Sequence, residues 1–185
     1  MNSPFYKKAT ERMKIVIDTL KKDYASIRTG RASLALLEPI HVDYYGTKTP
    51  LNQVASMSVP DPRQITIQPW DPKAIAEIEK AILKSDLGLT PSNDGKTIRL
   101  TIPPLTEERR KELVKFAKKR LEEARVSIRN VRRDINEEIK KEEKNKKISE
   151  DEAKSFHDEI QKLTDSFIEK AEEILRHKEK EIMEV

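Results

Sequence analysis

The sequence predicts an α+β protein: an elongated antiparallel three-helix bundle with a small β/α/β domain inserted into one of its connections. Three observations carry this. Apolar residues recur at helical spacings of three and four near the start, after residue 106 and after residue 149, which is the period of a helix that buries one stripe. Between the first and second of these stretches the period drops to two, over short runs rich in β-branched and aromatic residues. The composition, with 38% charged and 5% aromatic residues, suits long solvated helices better than a deep ring-lined pocket.

The first helix is marked by Met13, Ile17, Leu20, Tyr24 and Ile27 and is expected to stop at Gly30. After Pro103-Pro104 the rhythm returns in Ala117, Leu121, Ala124, Ile128, Val131 and Ile135. Thr106 is a candidate N-cap, and Glu107 and Glu108 stand in the first turn where the helix dipole favours negative charge. A helix from there to about residue 143 would be roughly 55 Å long at 1.5 Å per residue. A third helix is announced by Ser149 and Glu152 at capping-box spacing, with Ile160, Leu163, Phe167, Ala171, Ile174 and Ile182 along one side. Three single stripes can be buried against one another, which closes a bundle.

The intervening strands are expected at Ile40–Tyr45, Val54–Val59, Ile65–Ile67 and Ile98–Ile102, separated by Gly46, Pro60-Asp61-Pro62 and Asn93-Asp94-Gly95. One helix interrupts them. Asp71 can cap it, Pro72 suits its first position, Ile75, Ile78, Ala81 and Ile82 form its buried face, and Gly88 is expected to stop it. The expected division is therefore a bundle from residues 1–29 and 106–185, an inserted domain over 32–102, and a hinge at 29–31 and 103–105. Gly30 permits unusual backbone angles while the two prolines stiffen the other connection, so limited bending between two rigid bodies is expected at Thr29, Gly30, Arg31, Pro103, Pro104 and Leu105.

Several function classes are disfavoured. The absence of cysteine removes disulfides, thiolate nucleophiles and sulfur-based zinc sites. The N-terminal stretch lacks a signal-peptide core and no run approaches the roughly 20 apolar residues of a membrane span, so a cytoplasmic protein without membrane contact is expected. The segment Gly88–Thr97 ends like a phosphate-binding P-loop, but it has six residues between its glycines where four are needed, and it leads into a strand instead of a helix. His41, His157 and His177 stand far apart, and Ser33, Ser56 and Ser58 lack a nucleophile-elbow context. No catalytic residue, metal site or cofactor is expected, and the protein is not expected to be an enzyme.

Charge is more informative by distribution than by its total of +4. Residues 106–147 hold 16 Lys and Arg against 10 Asp and Glu, whereas 148–185 hold 6 against 12. Within the basic part, Arg125-Val-Ser-Ile-Arg129-Asn-Val-Arg132-Arg133 has four arginines and no carboxylate. Spacings of i, i+4, i+7 and i+8 line them along one helix flank. Such a row is held in place either by an acidic neighbouring helix or by an external polyanion. Arginine favours the polyanion, because its planar fork binds phosphate bidentately. Arg28 and Arg31 could extend the same surface, and a rod with spaced arginines suits structured RNA read by shape and backbone. A general architectural RNA binder, or a helical adaptor for an acidic protein, would share these features.

The runs Ile27-Arg-Thr-Gly-Arg-Ala-Ser33, Tyr44-Tyr-Gly46, Glu79-Lys-Ala-Ile82, Ser85-Asp-Leu-Gly-Leu89, Pro103-Pro-Leu-Thr-Glu-Glu-Arg-Arg110, Ala124-Arg-Val-Ser-Ile-Arg-Asn-Val-Arg-Arg133, Ile148-Ser-Glu-Asp151 and Ile160-Gln-Lys-Leu-Thr-Asp165 resemble, in order, those of bacterial ribosome recycling factors. The resemblance implies an L-shaped, tRNA-like monomer that enters the post-termination ribosome. It implies a bundle set against RNA of the large ribosomal subunit, with phosphate contacts from residues matching Arg28, Arg31, Arg129 and Arg132. It also implies elongation factor G as partner: that factor hydrolyses GTP and pushes on the hinged domain, the subunits separate, and mRNA and tRNA are released. The lysine-rich run Lys140–Lys147 takes no role from the resemblance.

Overall fold

A computed structural model describes residues 3–184. The chain divides into two compact units, one formed by Met1–Arg28 with Thr106–Val185 and the other by Thr29–Leu105. The first is the bundle. Its helices are α1 (Pro4–Ala25), α3 (Glu107–Lys144) and α4 (Glu150–Met183), while α2 (Ile75–Lys84) belongs to the second unit. Ser3, Thr106 and Ser149 cap the three long helices through their side-chain oxygens, and Ser149 with Glu152 completes a reciprocal capping box. α3 has 38 residues, roughly 57 Å of unbroken helix.

Helix directions follow from the pairs that bridge them. Lys8 meets Glu138 and Arg12 meets Asp134 near one end of α1, and Asp23 lies by Arg120 near the other, so α1 and α3 are antiparallel. Phe5 lies against Phe156, and Ser3 donates to Glu159. α1 and α4 are thus parallel, and the five-residue turn after Lys144 reverses α3 into α4. The core of this unit is the three stripes: Ala9, Met13, Ile17, Leu20 and Tyr24 from α1, Leu113 through Ile139 from α3, and Ala153 through Ile182 from α4. Two details of the expected stripes change. α1 ends at Ala25, five residues before Gly30, although Ile27 is still buried. On α4 it is Leu175 that is buried, with Ile174 at the margin.

The second unit carries β1 (His41–Tyr44), β2 (Thr47–Pro50), β3 (Ala55–Asp61), β4 (Gln64–Pro69), β5 (Ser92–Asn93) and β6 (Ile98–Thr101). β1 and β2 form an antiparallel hairpin, and the others form an antiparallel sheet in the order β3-β4-β6-β5. Alternation puts Ile65 and Ile67 of β4 and Ile98 and Leu100 of β6 inside, where α2 covers them with Ile75, Ile78 and Ile82. β2 and β5 were not expected. Thr47-Lys48-Thr49-Pro50 and Ser92-Asn93 bury nothing fully, so neither has an apolar signal, and both exist because a partner strand offers its edge. α2 begins with a short 3₁₀ turn at Pro72–Ala74, where Asp71 accepts from the Lys73 backbone N–H. It stops at Lys84 with Ser85 as C-cap, not at Gly88.

Both connecting segments are fastened to one turn of this unit. The Ala32 N–H donates to Pro62 O and the Ile102 N–H to Arg63 O, each at 2.7 Å. Gly30 has φ +74°, and a Cβ there would stand 3.1 Å from Leu105 Cγ. The glycine is required by its backbone angle and by that close approach together.

Within the bundle the Tyr24 hydroxyl donates to Ala117 O at 2.6 Å across the α1–α3 seam. Burial, aided by Glu179 and Asp23, pushes its pKa up to about 12. A folded-state pKa above the unfolded 10.0 means that the unfolded chain loses this proton first. The contribution is therefore whole below pH 10 and is lost as pH rises toward 12. Alkaline unfolding followed by circular dichroism is expected to show a fall in stability across that window, and Tyr24→Phe is expected to shrink the fall while lowering stability at neutral pH by about 1 kcal/mol.

Candidate nucleic-acid interface

The arginine row lies on α3, a helix whose register is set by Ala124, Ile128, Val131 and Ile135 in the core. Fixing that stripe fixes the direction of every residue beside it. The four arginines share a flank of α3 but differ in their partners. Arg125 is turned toward α4 and held between Glu122 and Glu172, its side chain 29% exposed. The hydrogen bond it donates to Glu172, followed by the one it donates to Glu122, raises its already high pKa and fixes the positive charge. Arg132 also reaches α4, donating to Gln161 Oε1 at 3.1 Å. That partner is neutral, so the arginine charge is oriented without being cancelled.

Arg129 is 48% exposed, and its nearest carboxylate oxygen, on Glu122, is 3.8 Å away. Glu122 gives its closer oxygen to Arg125. Arg133 is exposed and forms no ion pair or side-chain hydrogen bond among the described residues. The reason for the split is rotational. Residues 125 and 132 flank the core stripe on the α4 side, whereas 129 and 133 sit farther round the helix, where no neighbour reaches. Arg28 and Arg31 are exposed at the end of the first bundle segment and the start of the second unit, and each makes an interaction within the protein.

The net charge is carried by the bundle. Thr29–Leu105 contains eight basic and eight acidic side chains, so the whole excess belongs to the segments around it. The P-loop-like segment contains β5 and the turn that leads into β6. Its Lys96 and Thr97 N–H groups, which a phosphate would need, donate to the Asp94 carboxylate at 3.0 and 2.8 Å. Those bonds, Thr97 first, hold Asp94 below the usual carboxylate range. An open cleft of about 440 Å³ between α1 and α4 is lined by Tyr6, Asp158, Glu159 and Lys162 among others. Among the described residues no three His, Cys, Asp or Glu side chains are placed to hold a metal ion, and no helix is long and apolar enough to cross a membrane.

The exposure of two rings has no counterpart in the sequence-based expectations. Tyr45 is 77% and Trp70 66% exposed, and Tyr45, at φ 50°, donates to Asp71 beside Trp70. Both belong to the end of the second unit remote from the Pro62-Arg63 turn. The alternation Ile65, Ile67, Pro69 inward places position 70 outward and is the signal that could have revealed Trp70.

Fold and charge together define a class: a long three-helix rod with an uncancelled cationic flank, interrupted by a neutral α/β lobe. The family model for "Ribosome recycling factor" matches residues 20–183. The chain is 62% identical over 175 residues to the ribosome-recycling factor of Oleidesulfovibrio alaskensis, covering 95% of each. It is 57% identical over all 185 residues to that of Syntrophus aciditrophicus, covering 100% of each. A solution structure of the ribosome recycling factor aligns over 100% of both chains with a TM-score of 0.76 and 47% identity. A second structure, at 48% identity and TM-score 0.61 over 97% of each chain, is the T. thermophilus ribosome recycling factor in models that also hold E. coli elongation factor G, bound to the E. coli post-termination complex. The chain belongs to the ribosome recycling factor family, and its activity is ribosome recycling.

The different settings of the arginines predict different losses. Arg125→Ala would leave Glu172 facing α3 without its partner and is expected to destabilise the bundle by about 1 kcal/mol, a figure reduced for the pair's partial exposure. Urea denaturation checks this, and a variant as stable as the parent would show that the pair contributes nothing.

Proposed function

We propose that the bundle docks on structured RNA of the large ribosomal subunit in the post-termination ribosome, and that with elongation factor G and GTP the protein drives the subunits apart and releases mRNA and tRNA. Arg129, Arg132 and Arg133 meet phosphates, with Arg28 and Arg31 adding to the contact. Arg125 serves this surface indirectly, by fastening α4 to α3. The observation that supports the reading most directly is Arg133 standing exposed on a rigid helix with no ion pair among the described residues, beside an exposed Arg129 whose nearest carboxylate, on Glu122, is 3.8 Å away and lies closer to Arg125. Guanidinium groups held apart on a rod cannot neutralise one another, and phosphate oxygens supply the bidentate acceptors they lack.

The protein itself hydrolyses nothing; the nucleotide is consumed by the elongation factor. The protein acts as a monomer, because its three apolar stripes are satisfied within one chain, and its place is the cytoplasm, where the ribosomes it serves translate. Motion is assigned to Thr29, Gly30, Arg31, Pro103, Pro104 and Leu105. These residues cluster with the inserted unit, so bending is concentrated at its borders with α1 and α3, where Arg28 and Thr106 begin the other body.

Arg129→Ala/Arg133→Ala is expected to weaken ribosome binding and to flatten its dependence on salt by about 1.5 in the slope of log K against log salt, since each lost phosphate contact removes 0.7–0.9 of a released counterion. Sedimentation with purified ribosomes at several salt concentrations measures this; an unchanged slope rejects the RNA contact. Competition with bulk RNA in the same experiment separates a ribosome-specific factor from a general RNA binder. Gly30→Ala, which drives a Cβ toward Leu105 at an unfavourable φ, is expected to preserve binding and to slow subunit splitting by elongation factor G and GTP. Splitting at the parental rate would remove the hinge from the mechanism.

A further inference from the structure

The chain has four glycines, and only Gly95 follows an aspartate. An aspartate followed by glycine is the pair in which a chain most easily attacks its own side chain, because glycine sets no Cβ beside its amide nitrogen. The step is a condensation. The Gly95 nitrogen bonds to Asp94 Cγ, the carboxyl hydroxyl leaves with the amide proton as water, and a succinimide ring results. Water then opens the ring at either carbonyl, and in one of the two products the main chain runs through the former side chain. No oxidant, metal or enzyme is needed, and the recycling reading gives this turn no part.

The pair stands in the open. Asn93, Asp94, Gly95 and Lys96 are all exposed, and nothing lies within 4 Å of where a Cβ on Gly95 would stand. Exposure alone would make the turn reactive. Hydrogen bonds oppose it. Asp94 Oδ1 accepts from the Thr97 N–H at 2.8 Å and from the Lys96 N–H at 3.0 Å. The Gly95 N–H donates to Asn93 Oδ1 at 3.1 Å, and the Asp94 N–H to Thr97 O at 3.2 Å. Both reacting groups are thus turned to other partners. For the ring to close, the Gly95 nitrogen must leave Asn93 and the carboxyl must swing away from two amides. Those amides, Thr97 before Lys96, also hold Asp94 below the usual carboxylate range, and an ionised carboxylate has no hydroxyl to release.

The turn is itself held from outside. Asn93 Nδ2 donates to Glu79 Oε1 on α2, and α2 is seated in the core by Ile75, Ile78 and Ile82. The Asn93 side chain therefore has its nitrogen on the helix and its oxygen on the Gly95 N–H. Its strand, β5, is two residues long and pairs Asn93 with Ile98, so the strand adds little restraint of its own.

We infer that Asp94-Gly95 is a site of self-modification to isoaspartate, kept closed in the folded protein by the hydrogen bonds of its turn, with Asn93 and Glu79 as the positioning residues that set its rate. Conversion lengthens the main chain just ahead of Ile98, whose side chain is fully buried. The inserted unit takes the damage and the bundle does not.

The test holds the full chain at neutral pH below its thermal midpoint and reads isoaspartate by methyl transfer from a labelled donor with a purified isoaspartyl methyltransferase, with peptide mapping to place it. A synthetic peptide of residues 91–100 is the unrestrained reference. The folded parent is expected to react at least about ten-fold more slowly than the peptide, since local opening must come first, and the parent in urea is expected to match the peptide. Asn93→Ala and Glu79→Ala are each expected to raise the folded rate about five-fold. Ser58→Ala, which removes a bond to Thr66 Oγ1 at the opposite edge of the same sheet, is expected to keep the parental rate. A folded parent as fast as the peptide overturns the protection, and a urea-treated parent without isoaspartate at position 94 overturns the site. Parental rates for Asn93→Ala and Glu79→Ala remove those residues from the device. An equal rise in Ser58→Ala overturns their role in favour of general sheet stability.

Discussion

Burial of one stripe of α3, from Leu113 to Ile139, between α1 and α4 is the constraint on which the surface chemistry depends. A helix pressed on two neighbours has its azimuth fixed, because rotating it would expose isoleucines and bury arginines, each at several kcal/mol. Once that angle is set, every polar side chain on the helix is assigned to α1, to α4 or to water. α1 receives acids, α4 offers Glu172 and Gln161, and water receives the unmatched cations. The cationic face is therefore a by-product of apolar packing as much as of the number of basic residues.

The long helices were readable because their stripes keep strict spacing and their starts carry Ser and Thr caps. Thr106 and Ser149 do in the structure what their positions implied. Ends were less readable: α1 stops before Gly30 because Ser26 already caps it, and α2 stops at Ser85 although Gly88 is the stronger punctuation. Strands without buried residues, β2 and β5, leave no periodic trace, and only their hydrogen-bonding partners reveal them. The arginine row was visible as a row, but its division was not. That division depends on where Glu172 and Gln161 fall, which are 47 and 29 residues away in sequence from the arginines they meet. Local spacing cannot report a neighbour set by the turn between two helices.

The two units divide the physical work. The inserted unit has matched charges, a sheet covered by one helix, and exposed Tyr45 and Trp70 at one end. Apart from Arg31 at its border with the bundle, its balanced charge does not draw it to a polyanion, and large rings with a polar handle favour protein surfaces. The bundle has the reverse character, with a thin core, few exposed rings and a charged exterior. On the proposed reading, in which the bundle meets RNA and the inserted unit meets a protein, this separation keeps the two contacts from competing for the same surface.

The turn between α3 and α4 is closed without glycine, by Lys146, and the chain from residue 106 to 185 contains neither glycine nor proline. Sharp helix kinks need such residues or an inserted polar group. The two helices therefore form a strut of low compliance: load applied at one end arrives at the other little diminished. Glycine and nearly all the proline are confined to the connections and the lobe, so whatever pliancy the molecule has is confined there too.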